Sequence, residues 1–112
     1  MSNEKAIAKI EKAAAKKKTA AIIKIMAKAD KEILLKALAS LGEIGDEDSR
    51  NYITHYLDHE DGDIRFAACK AALTINTEYM KTRVRHQLAM ENDGAIKAQI
   101  QEAFNLARGT NV

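Results

Sequence analysis

The sequence predicts an all-α protein, a stack of helical hairpins with about seven helices, and three observations carry that prediction. First, the chain repeats itself: Asp30 to Ile33 returns as Asp61 to Ile64 and again as Asp93 to Ile96, at spacings of 31 and then 32 residues. Self-similarity at this period marks helix pairs that must stack on one another to bury their apolar faces. Second, apolar residues inside each repeat recur at intervals of 3 and 4, which places them on one stripe of an α-helix. Third, the 112 residues include no proline, no tryptophan and only 4% aromatics, so little in the chain breaks a helix or favours a strand.

The first hairpin, about residues 3–28, opens with Ala6, Ile7 and Ile10 on one face and returns through Ile22 and Met26. Its turn is weakly marked. Ala14 and Ala15 occupy the positions of the later turn residues, and local signals would permit one long helix from about Glu4 to Lys28. The repeat register instead places a break near Lys16–Thr19. The second hairpin, about 30–58, carries Ala37, Leu38, Leu41 and Ile44, turns at Gly45 and Asp46, and returns through Ile53 and Leu57. The third, about 61–90, does the same with Ala68, Cys69, Ala72 and Ile75, then Asn76 and Thr77, then Val84 and Leu88. Gly45 and Asn76 tolerate the left-handed conformation that ends a helix. Asp30, Asp46, Asp61, Thr77 and Asp93 are residues that accept hydrogen bonds from first-turn amides.

A last, unpaired helix, about 93–108, keeps Ile96, Ile100, Phe104 and Ala107 as a seam for docking. Gln101 stands where Leu38 and Cys69 stand in earlier repeats, as expected for the uncovered face of a capping element. The tail Gly109–Val112 is expected to be disordered. The whole chain, 1–112, reads as a single domain.

Composition narrows the class. A chain of this length can bury roughly 65% of its unfolded surface, enough for one core. A net charge of +2 with mixed signs describes an ordinary surface, not a strongly basic nucleic-acid binder. The single Cys69 excludes an internal disulfide, fits a reducing cytoplasm and reads as a buried, inert thiol on the core stripe. No stretch approaches ~20 consecutive apolar residues, and the scattered lysines after Met1–Lys5 lack the continuous apolar core of a secretion signal. A soluble, cytoplasmic protein without a cofactor is expected.

Across Leu38, Leu41, Gly42, Ile44, Gly45 and Asp46, and across Asp63–Asn76, the chain resembles HEAT-like repeats of the short kind also found in phycobilin lyase subunits. The resemblance covers Asp30–Leu88, extends to Asp93–Ala107 and is faint before Lys28. It implies a right-handed α-α superhelix whose second helices, here called B helices, line the concave face. It also implies a non-catalytic module that binds a protein partner. Members of the class that bind DNA, act on bilins or hold iron leave two further implications: an accessory part in bilin or cofactor attachment, or weak nucleic-acid or phosphate binding. Asp46 and Arg65 resemble the residues by which the family ties neighbouring repeats together. The iron-dependent hydroxylases of the class carry His-Glu pairs early in their first helices. Here those positions hold Leu35 and Lys36, Phe66 and Ala67, and Ala98 and Gln99, which argues against a di-iron enzyme.

All three histidines fall on B helices. His55 and His59, four residues apart, share one helical face. His86 follows His55 by 31 residues and Lys24 precedes it by 31, so the three form a lateral row spaced by helix packing at roughly 8–10 Å. Lys28, His59 and Met90 form a second row beside it. Neither coincides with the Ile53 and Leu57 stripe, so both are expected in solvent, where Lys81, Arg83 and Arg85 would add positive potential suited to an acidic protein segment. Tyr52 and Tyr56 share a face with Ile53, the placement of amphipathic aromatics that pack a core edge and serve as interface anchors. The expected partner-binding set is Lys24, Lys28, Tyr52, His55, Tyr56, His59, Arg83 and His86. A solvated helix face with basic side chains is the plainer alternative.

Other chemistries find less support in the residues. His55, His59 and His86 are the candidates for a metal site, but Zn²⁺ usually takes three or four protein ligands and no His-Glu-x-x-His spacing occurs. No metal is therefore expected. Nucleic acid is disfavoured by the lack of interleaved aromatics for base stacking. The acidic turns at Asp46–Asp48 and Asp58–Asp63 lack the alternation and closing glutamate of a calcium loop. No serine or cysteine sits in helical register with a histidine, so no catalytic residue is expected. The open face of the last helix allows self-association.

Overall fold

The computed structural model describes residues 3–109 as seven helices. They are α1 (Asn3–Ala15), α2 (Thr19–Met26), α3 (Lys31–Ile44), α4 (Glu47–Tyr56), α5 (Gly62–Ile75), α6 (Glu78–Met90) and α7 (Gly94–Gly109). Thr110–Val112, the rest of the tail expected to be disordered, lie outside the described residues.

Local chemistry sets these boundaries. Asp30, Asp46, Asp61, Thr77 and Asp93 each accept a hydrogen bond from a first-turn amide, for example Ser49 N–H to Asp46 Oδ1 at 2.8 Å. Each satisfies a donor that the helix itself cannot. Gly45 (φ 65°) and Asn76 (φ 61°) end α3 and α5 in the left-handed conformation, their amides donating to Leu41 O and Ala72 O.

The first repeat breaks too, but its turn has moved. With alanine at positions 14 and 15, α1 runs on until Lys17 turns left-handed (φ 54°). Lys17 N–H then donates to Ala14 O at 3.0 Å and Lys18 N–H to Ala13 O at 2.8 Å, the paired bonds of a Schellman cap. A lysine performs what Gly45 performs elsewhere, three register positions later. The delay shortens α2 to 8 residues.

The core runs the length of the stack. Ile10, Leu38, Leu41, Ile64, Cys69 and Ile100 from the first helices of the hairpins meet Ile22, Ile53 and Val84 from the B helices, all fully buried or nearly so. Ile7, expected on the same stripe, is only half-buried. The first helices approach each other closely because small residues let them: a Cβ added at Gly42 would lie 3.0 Å from Ala71 Cα. The outer face of α7 is mostly polar, with Gln101 Nε2 donating to Asn105 Oδ1 at 2.9 Å, although Leu106 is exposed there too. The result is a slab of 37 × 28 × 19 Å. Among the described residues no helix is long and apolar enough to cross a membrane.

Candidate functional site

Neighbouring repeats are tied at their links, and the ties hold the B helices in place. Thr19 Oγ1 donates to Asp46 Oδ2 at 2.6 Å, joining α2 to the α3–α4 turn. That bond, more than the Ser49 amide, holds the Asp46 carboxyl below its ordinary pKa against the opposing cost of burial. Arg65 does more. Its Nε and Nη2 each donate to Glu91 at 2.8 Å, and its Nη1 donates to the His59 and Glu60 carbonyls. Glu91 also accepts from Gln87 Nε2 and the Asp93 amide. The guanidinium, above all, keeps the Glu91 carboxyl at a pKa of about 2. Sequence reasoning found Asp46 and Arg65 but missed Glu91, which looks like one more acidic link residue.

On this frame α2 and α4 leave a groove of about 410 Å³. Ile23, Met26 and Ala27 form one side; Asn51, Tyr52, His55 and Tyr56 form the other. The ring of His55 meets Tyr56 edge-on at 5.7 Å, and Tyr56 stacks on His59 at 5.9 Å, giving one aromatic strip along α4 and its end. Tyr52 remains 37% exposed. Burial, then neighbouring Tyr52, pushes the Tyr56 phenol above its ordinary pKa, so the hydroxyl keeps its proton and its capacity to donate.

The expected rows divide. Lys24, His55 and His86 are all exposed, as their register required, but they do not line one recess. Lys24 and Lys28 border a separate hollow of about 930 Å³ formed with α1 and the start of α3. His59 is half-buried, its Nδ1 accepting from the Asp61 amide at 3.0 Å; it shapes the α4–α5 link. Arg83 is half-buried, its Nε enclosed without a hydrogen-bond partner. Two cations expected on the face are drawn elsewhere: Arg85 lies 5.4 Å over the Phe104 ring, and Lys81 pairs with Glu78 at 3.1 Å.

The arrangement suits recognition better than chemistry. Cys69 is buried, its thiol pushed up to about 12 by burial and then by the nearby Glu91, so no thiolate is available as a nucleophile. Among the described residues no group of three His, Cys, Asp or Glu side chains could hold a metal ion.

The model of the family described as HEAT repeats matches residues 19–105. No curated protein and no solved structure matches the chain.

Proposed function

The chain belongs to the HEAT-repeat family, and we propose that it is a non-catalytic module whose B-helix face binds a segment of a partner protein. The observation that carries this reading is the α2–α4 groove. Its Ile23, Met26 and Ala27 side offers apolar contact, while Tyr52 and His55 opposite are exposed and held on a capped helix. Aromatic anchors beside an apolar recess are where interface energy concentrates. Within the set Lys24, Lys28, Tyr52, His55, Tyr56, His59, Arg83 and His86, we assign direct contact to Tyr52, His55 and Tyr56. His86 flanks the segment and favours acidic residues in it, while Lys24 and Lys28 stand beyond the groove, on the neighbouring hollow. His59 acts by stacking on Tyr56, and Arg83 extends the face onto α6.

A photo-crosslinking residue at position 51 tests this, with one at position 99, on α7, as the comparison. Crosslinks to a partner should form from position 51 and fall at least ~10-fold in Tyr52→Ala and His55→Ala, since truncating a hot-spot anchor costs about 2 kcal/mol or more and ~1.4 kcal/mol is tenfold. Equal crosslinking from position 99, or yields indifferent to both substitutions, would remove the B-helix face from the function.

A further inference from the structure

The two ends of the stack are finished differently. At the C-terminal end the outer face of α7 is mostly polar, with Gln101 and Asn105 bonded to each other and Leu106 the one large apolar side chain exposed on that helix among the described residues. The N-terminal hairpin has no such finish. On α4, Tyr52 and Tyr56 face α2 across the groove described above. Their repeat equivalents on α2 are Ala21 and Ile25, and these line the hollow of about 930 Å³, into which no other helix of the described residues packs. Its floor is apolar, built by Ala6, Ile25, Ala29 and Ile33, and its rim carries Lys9, Lys24 and Lys28.

Charge is as uneven as shape. Residues 1–28 hold eight lysines and two glutamates, a net +6, while residues 29–112 hold ten basic and fourteen acidic residues, a net −4. Some lysines of the later repeats find carboxylates: Lys31 pairs with Asp61 and Asp63, Lys36 with Glu11 and Lys81 with Glu78. Lys9, Lys24 and Lys28 have no carboxylate within 4.0 Å among the described residues. Three unneutralised ammonium groups around an apolar floor ask for a ligand with apolar substance and negative flanks.

We propose that this hollow is a second docking site, distinct from the α2–α4 groove, and that its occupant is an acidic amphipathic helix of a partner protein. A helix lays its apolar stripe along the floor formed by Ile25 and the alanines, while flanking carboxylates reach the three lysines. This is the helix-in-groove mode of recognition. A nucleic acid would find the charge but nothing to stack on, because residues 1–28 contain no aromatic side chain.

The probe is a fluorescein-labelled synthetic peptide of about four helical turns, with one leucine stripe flanked by glutamates, followed by anisotropy against the full chain. Two comparators share its length: one with lysine for glutamate, and one scrambled so that the stripe is lost. The acidic amphipathic peptide should bind best. Binding should weaken at least ~10-fold in the Lys9→Glu/Lys24→Glu/Lys28→Glu variant, whose changes lie at exposed positions, and again in Ile25→Asp. Circular dichroism confirms that each variant is folded. Tyr52→Ala and His55→Ala should leave this binding unchanged, which separates the site from the B-helix groove. Equal affinity for the scrambled peptide, or a triple variant that binds like the wild type, would overturn the proposal. So would tighter capture by phosphatidylserine vesicles or duplex DNA than by the peptide. A dimer seen by light scattering and abolished by Ile25→Asp would give the hollow to a second copy instead.

Discussion

Replacing Glu91 by glutamine keeps the shape of the side chain and removes the charge that Arg65 grips with two 2.8 Å bonds. The native carboxyl has its pKa at about 2 against an ordinary 4.5. At ~1.36 kcal/mol per pKa unit that difference sets a ceiling of about 3 kcal/mol on what the fold gains from the charged form. Glu91 is enclosed, its side chain 1% exposed, but Arg65 is 17% exposed, and water there screens part of the gain. A loss of about 2–3 kcal/mol at neutral pH follows for Glu91→Gln. In a domain of this size ~1 kcal/mol moves the melting temperature by roughly 4 °C, so calorimetry should register a fall of roughly 8–12 °C.

The pH dependence carries a sign. Because the folded-state pKa of Glu91 is depressed, its contribution is complete above about 4.5 and is lost as pH falls toward about 2. The gap between wild type and Glu91→Gln should therefore close across that window. Arg65 and Glu91 join the α4–α5 and α6–α7 links, and in a stacked array each repeat depends chiefly on its neighbours. Amide exchange should accordingly accelerate in α6 and α7 before it does in α1 to α3. A gap that stays constant from neutral pH down to the acid limit would refute the reasoning, because the charge would then contribute nothing specific.

Lys17 sits left-handed at φ 54°, where a Cβ is strained and glycine is not, so Lys17→Gly should raise stability by about 0.5–1 kcal/mol in denaturant titrations; a loss of stability would deny the Schellman reading. Gly42→Val has nowhere to go, since even a first side-chain carbon lies 3.0 Å from the Ala71 backbone; it should cost at least about 2 kcal/mol. Gly94→Ala, with nothing within 4 Å, should be tolerated. Cys69, buried and with its thiol pushed up to about 12, should stay unmodified by a thiol-specific disulfide reagent in the native protein and react at once after unfolding in guanidinium; rapid native labelling would contradict its burial.

The fold was legible because stacking forces the same solution on each repeat. Ile22, Ile53 and Val84 are buried at one register position, and Leu38 and Cys69 at another, where Ile7 of the first repeat is only half-buried, so spacing identifies most of the core. Capping was legible for the same reason: Asp46 and Thr77, or Gly45 and Asn76, each solve a local backbone problem with their own side chain or φ angle. Lys17 escaped that logic. Nothing in its residue type announces a left-handed turn, and only the register of the later repeats called for a break nearby. Glu91 escaped for a different reason. Its partner Arg65 is 26 residues away, and an acidic residue in a link is indistinguishable by sequence from a solvated one.

The binding face was harder to read, because register says which residues stand in line without saying what each one meets. Ile25, Tyr56 and Gln87 occupy one position in successive repeats. Ile25 lies in the floor of an open hollow, Tyr56 borders the groove against α2, and Gln87 is buried as a donor to Glu91. The neighbouring position holds Ala21, Tyr52 and Arg83 and varies as widely. Along the stack the same two positions thus pass from apolar to aromatic to polar, while Ile22, Ile53 and Val84 beside them hardly change. Packing constrains the inward residue to a narrow range of size and polarity, whereas the positions that meet the preceding repeat are free to differ once their surroundings do. That freedom allows one repeated scaffold to carry two unlike recesses, and it explains why Lys24 and His55, though in register, border different ones.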